Sequence, residues 1–244
     1  GADEAFRRWP GEIACVIVEP VAGNMGCIPP VPGFLEGLRE LCDRHGSLLI
    51  FDEVMTGFRV ARGGAQCLYG VSPDLTCLGK VVGGGLPAAA YGGSNHLMQR
   101  VAPAGDVYQA GTLSGNPLAV AAGLATLEAL EVPGVYERLT ARSGALAKGL
   151  SDIAQECGVP LTTASVGGMF GFCFHPGPVR CFKDAQANHE GRFRRFFARM
   201  LEGGINLAPS PYEAGFVSTA HRAADVDETL GMAAIAMKAA AKVR

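Results

Sequence analysis

Two side chains in this chain have types and positions that suggest chemistry. Asp52 closes the apolar run Leu48-Leu49-Ile50-Phe51, with Glu53 after it, and Lys80 follows the apolar stretch Asp74 to Leu78 and precedes Gly83-Gly84-Gly85. A carboxylate at the end of a buried strand is costly unless a cation meets it. A lysine in a desolvated place can keep a neutral amine, nucleophilic enough to form a Schiff base with a carbonyl compound. Together the pair suits pyridoxal phosphate chemistry, in which a lysine holds the cofactor and an aspartate keeps the ring nitrogen protonated as an electron sink. Two other readings stand beside it. Lys80 could be a solvated loop lysine. Asp52 and Glu53 could bind a metal, although no His or Cys lies at ligand spacing.

The elements that must position these residues follow from periodicity. Ile13 to Val18 reads as a buried strand ending at Glu19-Pro20. Gly33 to His45 reads as a helix with Phe34, Leu35, Leu38, Leu41 and Cys42 on one face, stopped by Gly46. Ser47 to Phe51 is the next strand, so strand, helix and strand make a βαβ unit with parallel strands covered by helices on both faces. Asp74 to Leu78 and Ala88 to Tyr91 read as two further short strands. Asn116-Pro117 pairs an N-cap residue with a proline at the first helical position, opening a helix to about Glu131. A second helix runs from Pro133 to about Cys157. Beyond it, Leu161 to Ala164 and Met169 to Phe174 read as antiparallel strands, and Glu190 to Glu202 and Ala224 to Lys242 as helices. The fold class is therefore α/β, a mostly parallel sheet followed by an α+β domain. The boundary is expected near Ser143, giving domains 1–142 and 143–244. Ligands of open α/β sheets bind beyond the carboxyl ends of the strands, which sends Asp52 and Lys80 into one crevice.

Composition limits the alternatives. The chain has 244 residues, 48% hydrophobic, with a formal net charge of −2 and no block of like charges. Nucleic acid and membrane surfaces are not expected partners, and no apolar run approaches the length of a bilayer span. The eight Cys include no C-x-x-C pair. They read as reduced thiols serving as small core hydrophobes, in a cytoplasmic protein, or a stromal one in a plastid. No Ser-His-Asp or metal-ligand spacing is present, so no metal site is expected.

The stretches EPVAGNMG, LLIFDEVMTGFR, DLTCLGKVVGGGLP and YQAGTLSGNPLA resemble the class III aminotransferases, fold-type I pyridoxal phosphate enzymes. EPVAGNMG and AGTLSGNP are nearest the aminomutase branch of that family. The resemblance implies pyridoxal 5'-phosphate as cofactor, held as a Schiff base by Lys80, with Asp52 on the pyridinium nitrogen and Val54 on the ring face. It implies that Asn24 lies near cofactor or substrate, that Tyr108 and Glu213 line the substrate pocket, and that Gly111 and Thr112 reach the phosphate bound by the partner subunit of a homodimer. The aminomutase branch isomerises glutamate-1-semialdehyde to 5-aminolevulinate, the tetrapyrrole precursor. An ω-amino acid aminotransferase and a non-catalytic subunit of a split enzyme are the alternatives. The family carries its phosphate cup, a ring-stacking aromatic and a substrate arginine ahead of the strand with EPVAGN. The chain accordingly reads as the C-terminal portion of a longer enzyme, expected to bind the cofactor poorly alone.

Overall fold

The computed structural model describes residues 1–243. Its elements follow in the order α1 (Ala2–Arg8), β1 (Cys15–Val18), α2 (Phe34–His45), β2 (Leu48–Glu53), α3 (Gly64–Tyr69), β3 (Leu75–Leu78), β4 (Ala90–Gly93), α4 (Asn95–Met98), α5 (Pro117–Leu130), α6 (Val135–Glu156), β5 (Thr162–Val166), β6 (Met169–Cys173), α7 (Phe182–Gln186), α8 (Glu190–Glu202), β7 (Gly215–Phe216) and α9 (Ala223–Ala240), with a 3-10 turn at Lys80–Gly83. The chain divides into two compact units, residues 1–20 with 31–132, and residues 21–30 with 133–244.

The first unit holds a four-stranded sheet in the order β1-β2-β3-β4. β1, β2 and β3 run parallel, as the βαβ reading requires. β4 is antiparallel to β3. Only the short span from Gly79 to Ala89 joins those two strands, too little chain for a crossover helix, and β4 starts two residues later than its sequence suggests. Leu49 and Phe51 of β2 pack with Leu35, Leu38 and Cys42 of α2. Gly46, at φ 66°, ends α2, as its position after the last apolar residue predicts. Phe34, the first residue of α2, departs from the expected helical face and is exposed. The opposite sheet face is less covered: Ile17 of β1 is 61% exposed. Cys15 is exposed beside it, and Cys67 and Cys181 are exposed too, so these three thiols are not core groups.

Asn116 caps α5 through its side-chain oxygen, which accepts from the Ala119 N–H at 2.9 Å, with Pro117 at the first helical position. Asn116→Ala should cost about 1 kcal/mol and lower Tm by about 2–4 °C, read by circular dichroism, whereas Asn116→Asp keeps the acceptor and should hold Tm.

In the second unit β5, β6 and β7 form an antiparallel sheet, covered by α6, against which α9 packs. Phe172, Phe174, Phe193 and Phe196 make an aromatic cluster with ring centroids 5.5–6.3 Å apart. The division falls after Val132 and not at Ser143. Ser143 is fully buried inside the second unit, its hydroxyl donating to the Gly167 carbonyl between β5 and β6. Residues 21–30 also join this unit, because the Gly26 N–H donates to the Tyr212 carbonyl at 2.8 Å. Cys27 there is buried, and burial pushes its thiol up to about 12. Among the described residues no single helix is long and apolar enough to cross a membrane, and no cluster of His, Cys, Asp or Glu is arranged to hold a metal ion.

Candidate active site

The carboxyl ends of β2 and β3 carry the two residues singled out for chemistry. Residues alternate faces along a strand, so Asp52 shares a face with Ile50, while Glu53 shares one with Leu49 and Phe51. Asp52 sits in register with Cys77 of β3. It is half-buried, and its Oδ1 accepts from the Val54 N–H at 3.0 Å. Among the described residues it has no cationic side-chain partner. Burial, and after it the Asp52 carboxylate, push the Cys77 thiol up.

One residue beyond Cys77, at Leu78, β3 ends. Gly79 is extended and buried, and a Cβ there would approach Val54 Cγ1 to 3.1 Å. The bare Gly79 and the Val54 side chain thus form one wall. Lys80 follows with φ +47°, a left-handed conformation rare for a lysine. Such a backbone costs about 1–3 kcal/mol and persists only where the surroundings impose it. The imposition comes from α5. A Cβ on Gly84, at φ +58°, would collide with the Ala122 carbonyl, and one on Gly123 with the Val82 carbonyl. Two glycines therefore let the turn after Lys80 and α5 come backbone to backbone, and Lys80 is left exposed at the mouth.

Val54 and Gly111 both line an open cleft of about 980 Å³, with Cys77, Leu78, Tyr91 and Gln109. Tyr108 and Thr112 do not line it. Tyr108 is 84% exposed, and Thr112 lies on the same exposed segment. Asn24 and Glu213 belong to the second unit. Asn24 is exposed beside its bridge partner Gly26. Glu213 lines a separate cleft of about 520 Å³ together with Phe170, Phe193 and His221.

Glu53 is the functional-region residue whose surroundings the sequence reading missed. It is 0% exposed. It accepts from Thr56 Oγ1 at 2.8 Å, from the Ala65 N–H at 2.6 Å, and from the Gln66 N–H and Nε2, both at 3.1 Å. Facing opposite sides of the strand, Asp52 and Glu53 cannot share a metal ion. The available signal was parity: a glutamate on the core face of an apolar strand requires donors.

The residues at the sheet end suit a cationic heteroaromatic ring. Among the described residues a half-buried carboxylate stands without a cation, a valine and a bare glycine wall the place, and a lysine stands at the next strand end. Such a site on a mostly parallel sheet defines part of a fold-type I pyridoxal phosphate transferase. Residues 2–217 match the family Aminotransferase class-III, and the chain belongs to that family, whose cofactor is pyridoxal 5'-phosphate. Among solved structures it is similar to a β-phenylalanine aminotransferase from Variovorax paradoxus (34% identity, TM-score 0.85, covering 96% of this chain and 54% of that one). It is similar also to an omega-transaminase from Sphaerobacter thermophilus (31%, 0.90, 98% and 55%). A glutamate-1-semialdehyde-aminomutase from Pseudomonas aeruginosa is a third (27%, 0.86, 98% and 54%). The chain spans a little over half the length of these structures.

Proposed function

We propose that the chain carries the lysine and aspartate of a pyridoxal phosphate enzyme that isomerises glutamate-1-semialdehyde to 5-aminolevulinate. What supports the pairing is the placement of Asp52 and Lys80 at adjacent strand ends. What supports the substrate is the pair of stretches EPVAGNMG and AGTLSGNP, nearest the aminomutase branch, together with the likeness to an aminomutase structure. Pyridoxal phosphate, when bound, supplies the electron sink that makes a C–H bond next to nitrogen acidic. The chain does the rest. Asp52 holds the proton on the ring nitrogen. Val54 packs against the ring face. Lys80 Nζ anchors the cofactor and moves the proton at the reacting carbon. Overall the amino group at C2 and the oxo group at the aldehyde carbon exchange places, one amine entering at the aldehyde carbon and the other leaving C2, so no external amine acceptor is consumed.

A second reading, an ω-amino acid aminotransferase, is favoured by one observation: the two transaminase structures are more identical to the chain than the aminomutase is. An assay of the cofactor-loaded protein separates the two. Formation of 5-aminolevulinate from glutamate-1-semialdehyde without added acceptor supports the isomerase. Turnover that requires a keto-acid acceptor overturns it.

The working unit on this reading is a homodimer in which Thr112 serves the partner's cofactor phosphate. Support comes from the segment around it, where Val107, Tyr108, Leu113 and Leu118 are 51%, 84%, 62% and 74% exposed. A lone chain rarely leaves so much apolar surface contiguous. Mixed dimers of Thr112→Val and Lys80→Ala subunits test it. Acting in trans, Thr112 leaves one site with both lesions and the other intact, so about half the parent activity survives. Acting in cis, it leaves both sites damaged and little activity.

A further inference from the structure

We propose that Glu53, Gln66 and Thr76 form a side-chain bridge that sets the spacing between Asp52 and Lys80, a positioning role that rests on the reading of the site above. The β2–β3 ladder ends at the pair Glu53–Leu78. Past it the backbone gives no further register, yet Lys80 lies two residues beyond. The bridge ties Glu53, in the ladder's last pair, diagonally to Thr76, which pairs with Phe51 two residues inside the ladder's end. Gln66 Nε2 donates to Glu53 Oε1 at 3.1 Å and lies 3.2 Å from Thr76 Oγ1. Glu53 is bonded covalently to Asp52, and Thr76 lies four residues before Lys80 on β3.

The Glu53 end is immobilised. Its carboxylate takes the Ala65 and Gln66 N–H groups and the Thr56 hydroxyl besides Gln66 Nε2. Gly64, at φ +68°, passes so close that a Cβ would collide with both carboxylate oxygens. Gly57 is packed as tightly: its N–H donates to the Glu53 carbonyl at 2.8 Å, and a Cβ there would reach Leu78 Cδ2 at 2.5 Å. The segment from 53 to 66 is thus wrapped around one buried carboxylate. Beside the ladder itself and the approach of Gly57 to Leu78, the Gln66 amide carries that order across to β3 at Thr76. A core that needed only a satisfied Glu53 would have no use for the Thr76 contact. Cutting the bridge should let the ends of β2 and β3 drift, and a misplacement of an ångström at a reacting group is costly in rate.

The test uses the complete enzyme loaded with pyridoxal phosphate, in the parent and in Thr76→Val, Gln66→Leu, the double variant and Thr76→Ser. Two quantities are read: the pH midpoint of the visible absorbance of the lysine-held cofactor, and Tm. Thr76→Val is nearly isosteric, so the fold survives it. The midpoint should move by about half a pH unit or more in Thr76→Val, as expected when a charged neighbour changes its distance. The double variant should shift no further than Gln66→Leu, because both changes cut one bridge. Thr76→Ser keeps the hydroxyl and should restore the parent midpoint. A lowered Tm with an unmoved midpoint in Thr76→Val and Gln66→Leu would overturn the positioning role and leave a structural one. A complete parent enzyme that shows no borohydride-sensitive absorbance would instead overturn the reading of the site, and the bridge with it.

Discussion

In the complete enzyme, Asp52→Asn should lower turnover by about 10²- to 10³-fold, the usual loss on removing one preorganised electrostatic contact, and leave Tm within about 1 °C of the parent. The asymmetry follows from what Asp52 does in the fold. Its one hydrogen bond accepts from the Val54 N–H, and the carbonyl oxygen of an asparagine accepts that bond equally well. No ion pair is lost, because Asp52 has no cationic partner among the described residues. The bound cofactor is different. A neutral amide cannot hold a proton on the ring nitrogen, and an unprotonated ring is a poor electron sink. The change should appear in kcat more than in KM, since the missing stabilisation matters where negative charge develops. Turnover near that of the parent, in a variant shown to bind the cofactor, would rule out the ring-nitrogen role.

How far the sequence shows this site depends on the range of the interactions. Asn116-Pro117 opens α5 and Gly46 closes α2 through contacts made within a few residues, and both are legible. The alternation in Leu48–Glu53 likewise shows a strand with a carboxylate on each face. It leaves open what each meets. Apart from Thr56, three residues on, the partners of Glu53 lie 12 and 13 residues on, with Thr76 beyond them, and groups that meet through the fold leave no local pattern. β7 is two residues long and is a strand only because β6 lies beside it. The antiparallel direction of β4 follows from the short link between Gly79 and Ala89, a length that was readable. The division between units lies in the turn between α5 and α6 and not inside α6 near Ser143, whose hydroxyl donates to the Gly167 carbonyl, a contact 24 residues away that leaves no local pattern. The left-handed backbone of Lys80 has no sequence signature at all. Only the two glycines that bring α5 against the turn mark it, and they are 39 residues apart.

Lys80 offers the sharpest separation of function from stability. Lys80→Ala should abolish borohydride-trapped labelling and cut turnover by about 10⁴-fold or more, as removal of a covalent catalytic group does. Lys80→Arg should fail as fully, because a guanidinium stays protonated and cannot form the covalent link. Peptide mapping of the reduced parent should find the label on Lys80. Label on Lys148 or Lys183 would overturn the assignment. Lys148 is exposed and paired with Asp152, four residues away on α6, and Lys183 lies on α7, so neither stands at a strand end. The backbone supplies the second half of the prediction. At φ +47° any residue with a Cβ is strained, and glycine is not. Lys80→Gly should therefore be more stable than Lys80→Ala by about 1 kcal/mol, although both are equally inactive. A residue that relieves strain while destroying activity is expected where the backbone is bent to aim a reacting group. If chemical denaturation instead found the glycine variant no more stable than the alanine variant, the left-handed turn would not be a strained feature, and the aim of the lysine would have to come from its side-chain contacts alone.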